Sequence, residues 1–170
     1  MRKEKPFKIL SIDGGGIKGL YSSSVLANFE DEFKCLTSDH FDLICGTSTG
    51  GLIALAVSQK MPAREICEFY KEHGGNIFPN RPKWFKWLEY LETKLFNGKY
   101  FWEQTFWHGK YKNDYLKKVL TALFQEKTIG ESNNLLCIPS YCITEARPYI
   151  FKYDHTILRR DNKTSYVDVA

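Results

Sequence analysis

The sequence predicts an α/β fold with a mainly parallel sheet. Two observations support this prediction: a strand, a glycine-rich turn and a helix are predicted in succession near the start of the chain, and the same order then repeats. Strands connected in this way run parallel through right-handed crossovers, and ligand sites lie at their carboxyl ends. Because both glycine-rich turns directly follow strands, we expect both at that edge of the sheet, facing one site.

The first unit begins with a short predicted strand at residues 7–12, which ends at a run of three glycines. The apolar residues that follow recur at helical spacing and are Val25, Leu26, Phe29 and Phe33. This period predicts a helix from about residue 17 or 18 to residue 33.

The second unit begins with a buried strand predicted at residues 41–45. It passes through a glycine turn at residues 46–51 into an apolar run at residues 52–57, with small residues where a helix would press on the sheet. Pro62 then begins a helix predicted through Ile66, Phe69 and Tyr70.

Later elements complete a single domain or part of one. Asn113 or Asp114 can cap a helix. Strands are predicted at residues 135–138 and 149–153, with no repeat, low-complexity tract or clear linker between the elements. The apolar face predicted for the helix consists of Leu116, Val119, Leu120, Leu123 and Phe124.

Residues 78–111 differ from the rest in composition, because they hold 12 of the 26 aromatic residues, including all four Trp. We interpret them as an aromatic-rich insertion. Most of the rings are expected to pack in the core or against one another beneath the insertion. They could instead line an acyl-chain pocket or contact a bilayer surface, and a partner-binding surface is a third interpretation. The lysines placed to lie near headgroups are Lys83, Lys86, Lys94 and Lys99.

Composition excludes several classes of function. A formal net charge of +4, from scattered Lys and Arg, gives no reason to expect a nucleic-acid polymer as partner. Five cysteines without a Cys-x-x-Cys pair argue against a disulfide framework and a structural zinc site. Reduced thiols, with no predicted secretory signal or membrane span, favour a cytoplasmic protein. Contact with lipid would therefore be peripheral, at the membrane surface.

The strongest chemical signal lies between the second strand and its helix, at Gly46-Thr47-Ser48-Thr49-Gly50. Gly-x-Ser-x-Gly in this context is typical of a nucleophile elbow, whose turn is so tight that only small residues fit two positions before and after the serine. The helix that follows would direct free N–H groups and its positive dipole end at an attacked carbonyl. We therefore predict that Ser48 is the nucleophile of an acyl hydrolase.

The first glycine turn, at residues 13–19, is compatible with two roles. Gly14, Gly16 and Gly19 fit the Gly-x-Gly-x-x-Gly pattern of a phosphate-binding turn. Alternatively, Gly14, Gly15 and Gly16 form an oxyanion hole, where backbone N–H groups converge on a developing negative oxygen. The serine elbow on the neighbouring strand favours the oxyanion hole, because a cofactor-binding fold has no need of a strained serine there.

Together the two turns resemble those of the patatin-like phospholipase family, closely over the first sixty residues and more loosely afterwards. The resemblance implies a three-layer α/β/α fold and a lipid acyl hydrolase with a Ser–Asp dyad and no metal or organic cofactor. Ser48 then corresponds to the nucleophile, and the three glycines to the oxyanion loop. Lys18 stands where the family carries a basic residue, more often Arg. The remaining motif residues are Gly19, Gly46, Thr49 and Gly50.

The family's second catalytic residue is an aspartate in a later Asp-Gly-Gly or Asp-Gly-Ala turn. Here Asp-Gly occurs only at Asp13, within the oxyanion loop, and no glycine follows Asp154, Asp161 or Asp168. We expect residues 1–170 to be the N-terminal portion of a single patatin-like domain, with the aspartate and the remainder beyond them. Without its base this portion should show little esterase activity. The resemblance leaves open whether a regulatory C-terminal domain gates the enzyme.

Three alternatives to a lipid acyl hydrolase with a Ser–Asp dyad remain open. In a Ser-His-Asp triad, only His155 among the four histidines is placed after Ser48 as a triad histidine would be. A nucleotide-binding Rossmann-like module would need an acidic residue at the end of the second strand, where Cys45 and Gly46 stand. A non-catalytic lipid-binding scaffold would keep the fold without an activated serine. The preferred prediction is a hydrolase of acyl esters of phospholipids or neutral lipids.

Overall fold

The computed structural model describes residues 5–77, 113–153 and 160–170. Short 3-10 turns at Gly16–Lys18 and Ile129–Glu131 accompany the regular elements. In chain order these elements are β1 (Ile9–Ile12), α1 (Gly19–Phe33), α2 (Thr37–His40), β2 (Leu43–Gly46), α3 (Thr49–Ser58), α4 (Ala63–Ile77), α5 (Asn113–Phe124), β3 (Leu135–Cys142), β4 (Arg147–Lys152) and α6 (Tyr166–Val169).

The described strands form one sheet in the order β1-β2-β3-β4. The first three strands are parallel, with Leu10, Ile44 and Leu136 in one row, and β4 runs antiparallel to β3. The predicted α/β class with a mainly parallel sheet is therefore confirmed. Both glycine turns follow parallel strands, so they emerge at the same edge of the sheet.

The core lies on one face of this sheet. Ile12, Ile44 and Leu136 are buried there and pack against α3. Nine of the ten residues of α3 are buried, as expected for a helix that is apolar all round. Ile9 projects to the opposite face and is 57% exposed, in keeping with the alternation of side chains along a strand.

Helix α4 is amphipathic and packs its buried residues Ile66, Cys67 and Tyr70 into the core. The helix continues past His73 to Ile77. The imidazole Nδ1 of His73 lies 3.1 Å from the hydroxyl of Tyr115. This contact links α4 to α5.

Most predicted elements are present with shifted ends. Strand β3 was expected at residues 135–138 but extends to Cys142, because its antiparallel pairing with β4 continues to the Cys142–Arg147 pair. Helix α3 begins at Thr49, earlier than expected, directly after Ser48. The four-residue helices α2 and α6 were not predicted, since they are too short for a periodic pattern.

The aromatic-rich insertion predicted at residues 78–111 lies outside the described residues, and so do Asp154 and His155. Among the helices that the structure describes, none is both long and apolar enough to span a bilayer.

Candidate active site

Ser48 joins the end of β2 to the start of α3 in a strained conformation. Its φ of 53° and ψ of −125° are disfavoured for any residue with a Cβ. Such a conformation costs about 1–3 kcal/mol and persists only where the surroundings hold it in place. The residue is exposed at the carboxyl edge of the sheet, where the two glycine turns meet. The fold therefore places this hydroxyl where a substrate can reach it.

Two glycines make the tight turn around Ser48 sterically feasible. A Cβ on Gly46 would lie 2.1 Å from the carbonyl oxygen of Gly50, and a Cβ on Gly50 would lie 2.1 Å from the carbonyl oxygen of Ile12. Both clashes involve backbone atoms, which cannot move aside as a flexible side chain can. Glycine is therefore required at both positions, two before and two after the serine.

The first glycine turn packs directly against this elbow. A Cβ on Gly14 would lie 2.8 Å from the carbonyl oxygen of Thr47 and 3.0 Å from the Cβ of Ser48. Gly16 has a φ of 58°, in the left-handed region that favours glycine. The sequence placed both turns at one sheet edge, and the structure brings their backbones into contact.

Two hydrogen bonds join the turns. The N–H of Gly14 donates to the hydroxyl of Thr47 at 3.2 Å, and the N–H of Gly15 donates to the hydroxyl of Thr49 at 3.0 Å. Thr47 is exposed, whereas Thr49 is only 2% exposed. The threonines on either side of Ser48 thus hold the neighbouring glycine turn by its N–H groups.

Lys18 and Gly19 continue the first turn into α1. Lys18 is exposed at the end of the 3-10 turn, and its N–H donates to the carbonyl of Gly15 at 3.2 Å. Gly19 is buried against Tyr70 of α4, where a Cβ on the glycine would lie 2.7 Å from the ring carbon Cζ. Tyr70 was predicted only as part of a helix face, and Gly19 only as part of the glycine motif. The glycine at position 19 was the one signal in the sequence that a bulky neighbour lies there.

Two ionisable groups beneath the site are held neutral. Burial raises the pKa of the Tyr70 phenol, so that its hydroxyl remains a hydrogen-bond donor. Burial, with Cys137 beside it on β3, raises the pKa of the Cys45 thiol to about 11. Positive potential comes from the start of α3, where the first N–H groups of a helix have no intrahelical acceptor.

The acidic residues that would suit a dinucleotide site are engaged elsewhere. Asp42 accepts the N–H of Lys8 at 2.8 Å, at the amino ends of the strands. Asp39 pairs with Lys60 at 3.6 Å, and Asp31 pairs with Arg64. None of these three carboxylates is held near the end of β2, where a ribose would need one.

The later aspartates of the described chain also have their own partners. Asp161 is buried and accepts hydrogen bonds from Tyr149 and Arg160, each at 2.8 Å. The guanidinium of Arg160 beside it holds the pKa of this carboxyl below its usual value. Asp168 accepts the hydroxyl of Ser165 at 2.7 Å.

Of the histidines, His40 lies at the far end of the sheet from the elbow. Its Nε2 is 3.3 Å from the Nζ of Lys8, and its ring packs against Phe29 and Phe41. His73 contacts Tyr115 on α5, as described above. His108 and His155 belong to segments outside the described residues.

Comparison with known proteins identifies relatives over nearly the whole chain. A family model described as patatin-like phospholipase matches residues 10–169. A cGAMP-activated phospholipase from Pseudomonas aeruginosa is 34% identical over 165 residues, which cover 96% of this chain and 45% of that protein. Patatin-like protein 1 from Arabidopsis thaliana is 32% identical, covering 84% of this chain and 35% of its own length.

A third relative is Patatin-1-Kuras 2 from Solanum tuberosum. It is 31% identical over 162 residues, covering 87% of this chain and 38% of its own length. The chain therefore spans less than half the length of each of these relatives.

Proposed function

The chain belongs to the patatin-like phospholipase family, and on this basis we propose that Ser48 is the nucleophile of a lipid acyl hydrolase. The observation that carries the proposal is the strained backbone of Ser48, at φ 53°, with the glycine turn of β1 packed against it. Strain of this kind is typical of functional sites. The family assignment agrees with the predicted three-layer α/β/α fold class.

The proposed reaction proceeds through a covalent intermediate. The Oγ of Ser48 attacks the ester carbonyl as a carboxylate base takes its proton, which forms a tetrahedral oxyanion. Collapse of this species breaks the ester C–O bond, and the leaving alcohol takes up the proton. Water then gives a proton to the same base and attacks the acyl-serine; the acyl C–Oγ bond breaks, the base returns the proton to the Oγ of Ser48, and the fatty acid is released. No step requires a metal or an organic cofactor.

The carboxylate base is proposed to come from outside residues 1–170. In support, Asp161 and Asp168 are bound to their own partners in the described chain, and the relatives are more than twice as long as the matched segment. We propose that the sequence is the N-terminal portion of one patatin-like domain. The 170-residue chain alone should then hydrolyse esters poorly, and full activity from it would contradict this assignment.

The oxyanion hole is proposed to form from the turn at Gly14, Gly15 and Gly16, with the N–H groups of Gly14 and Gly16 as donors, because the buried hydroxyl of Thr49 holds the N–H of Gly15 and fixes the turn. Their backbone can approach the nucleophile because no side chain intervenes, and the contact between Gly14 and Ser48 supports this placement. The exposed hydroxyl of Thr47 holds the N–H of Gly14 in the absence of substrate. A charged oxyanion would replace it favourably, since hydrogen bonds to a charged acceptor are about twice as strong.

The edge that carries Ser48 also suits contact with a lipid surface. Ile17 in the glycine turn and Tyr21 just after it are 47% and 74% exposed. Tyr141 near the end of β3 and Ile143 just beyond it are 60% and 72% exposed. Strand β3 runs past the end of β2 at this edge. We propose that these residues approach the membrane from the cytoplasmic side while Ser48 acts on an acyl ester.

A fluorophosphonate probe on the full-length protein tests the proposal, since only an activated serine reacts. We expect labelling and phospholipid hydrolysis by the wild-type protein, loss of both in S48A, and retention of both in S140A, a matched control on the exposed part of β3. No labelling of the wild type would support the dinucleotide-binding or scaffold alternatives. Near-total loss of activity in H155A would indicate a triad instead of a dyad.

A further inference from the structure

A buried tyrosine on α4 touches both motifs without belonging to either. The hydroxyl of Tyr70 donates to the carbonyl oxygen of Thr49 at 3.2 Å. Its ring fills the space beside Gly19, where a Cβ would lie 2.7 Å from the ring carbon Cζ. Tyr70 is only 2% exposed, so these contacts form within the core beneath the site.

Thr49, whose carbonyl accepts the hydrogen bond from Tyr70, also binds the glycine turn through its side chain. It is the residue after Ser48, it is 2% exposed, and its hydroxyl accepts the N–H of Gly15 at 3.0 Å. A buried hydroxyl in such a bond is not readily replaced by water or substrate, unlike the exposed hydroxyl of Thr47. The Gly15 peptide therefore has a fixed orientation set from the elbow side.

These contacts join three separate segments: the glycine turn with the start of α1, the elbow with the start of α3, and the middle of α4. A second contact supports the same arrangement, because a Cβ on Gly74 of α4 would lie 2.5 Å from the Cδ1 of Ile17 in the turn. Helix α4 thus packs against the turn at two of its residues, Tyr70 and Gly74. Of these two residues, Tyr70 also forms a hydrogen bond to the elbow.

We propose that Thr49 and Tyr70 are positioning residues that hold the glycine turn in register with Ser48. They act through Gly15 and Gly19 without touching the substrate through their side chains. The inference rests on the proposed function, since register matters only if the turn stabilises an oxyanion. A displacement of about 1 Å in such a site can reduce the rate on the order of a hundredfold.

The test uses the full-length protein and a soluble aryl ester, with kcat and KM measured separately. T49V removes the hydroxyl with little change in shape, T49S restores it, and Y70F removes only the phenolic oxygen. We expect kcat to fall about 10- to 100-fold in T49V and about 10-fold in Y70F, with KM changed less than about twofold. T49S should recover most of the wild-type kcat.

Y166F is the matched control for a merely structural effect. The hydroxyl of Tyr166 also forms a buried hydrogen bond to α3, to the hydroxyl of Ser58 at 2.9 Å, but at the opposite end of that helix. Y166F should lower the melting temperature about as much as Y70F and leave kcat unchanged. An equal fall of kcat in both variants would overturn the proposal.

Binding of a trifluoromethyl ketone, which forms a tetrahedral adduct with the serine, gives a second readout. Its affinity should fall in T49V and Y70F in parallel with kcat/KM. Unchanged kcat and inhibitor affinity in Y70F would reject the inference even if T49V does not fold. If wild type and S48A are equally inactive, the proposed function itself fails.

Discussion

Gly14 and Ser48 are in contact across the gap between two parallel strands. A Cβ on Gly14 would lie 3.0 Å from the Cβ of Ser48 and 2.8 Å from the carbonyl oxygen of Thr47. The two residues are separated in the sequence by the whole of α1, α2 and β2. Their contact brings the backbone of the glycine turn up to Ser48, the proposed nucleophile.

This contact predicts the effect of Gly14→Ala. The added methyl group would push the turn away from Ser48, and kcat in the full-length protein should fall about 10²- to 10³-fold, as on loss of an oxyanion-hole donor. The measurement is kcat together with the melting temperature, since the fold should survive.

Gly75→Ala provides the control for this substitution. A Cβ there has nothing within 4 Å, and the position lies within α4. Activity should be unchanged and stability higher by about 0.5–1 kcal/mol, because alanine favours a helix over glycine. Equal activity of G14A and G75A would contradict the role of the turn.

The strain at Ser48 predicts a difference in stability between two variants of this residue. S48A keeps a Cβ at φ 53° and ψ −125°, whereas S48G removes it. We expect S48G to be more stable than S48A by about 1 kcal/mol, because the released strain exceeds the entropic cost of glycine. Urea unfolding of both proteins measures the difference. A less stable S48G would show that the elbow is not strained.

The ionised carboxylate of Asp161 is expected to stabilise the folded protein to an extent that depends on pH. It accepts hydrogen bonds from Tyr149, Arg160 and the N–H of Lys152, and its pKa in the folded protein is lowered, chiefly by Arg160. The stabilisation is therefore full above the unfolded-state pKa of about 3.9 and is lost as the pH falls through the lower folded-state pKa.

D161N should accordingly destabilise the protein at pH 7 by about 1.5–3 kcal/mol, the usual range for hydrogen bonds to a charged group. The difference from wild type should shrink as the pH falls below about 4. D168N, at an exposed carboxylate of α6, is the control and should change stability little. A D161N effect that grows on acidification would have the wrong sign for this mechanism.

Two cysteines should differ in their reactivity towards iodoacetamide, because only the thiolate reacts. The pKa of Cys45 is raised to about 11 by burial and by Cys137. The pKa of Cys142 is lowered, mainly by a hydrogen bond from the hydroxyl of Thr144. Cys142 should therefore be alkylated faster throughout the range of neutral pH.

Peptide mapping by mass spectrometry at a series of pH values measures both rates in one sample. The Cys45 rate should still rise about tenfold per pH unit at pH 9, whereas the Cys142 rate levels off earlier. A plateau for Cys45 near pH 8 would contradict the raised pKa. The result bears on the proposed function, since a neutral Cys45 would not compete as a nucleophile with Ser48.

The local sequence was sufficient to predict the strand, the turn and the helix that carry the candidate site. The apolar run before Gly46 and the apolar helix after Ser48 are continuous in the chain, and the steric need for glycine two positions before and after the serine follows from the tightness of the turn. In the structure, a Cβ on either glycine would clash with backbone atoms. The fold class was also predictable from the local sequence, because the order of strand, turn and helix is repeated along the chain.

Contacts between distant segments were not predictable in this way. The threonine hydroxyls that hold Gly14 and Gly15, and the contact of Tyr70 with Gly19, join residues 33 to 51 positions apart in the chain. No local period marks such pairs. The extension of β3 to Cys142 was missed for a similar reason, because it depends on pairing with β4.

The sequence by itself determined the chemistry that this chain offers: a serine between glycines, at the junction of a strand and a helix, with a second glycine turn after the neighbouring strand. Only the tertiary structure decided how these parts meet. The parallel pairing of β1 with β2 brings the turns together, and the packing of α4 holds them. Chain connectivity fixes local backbone geometry, whereas the relative position of two turns depends on side chains that pack from a third segment.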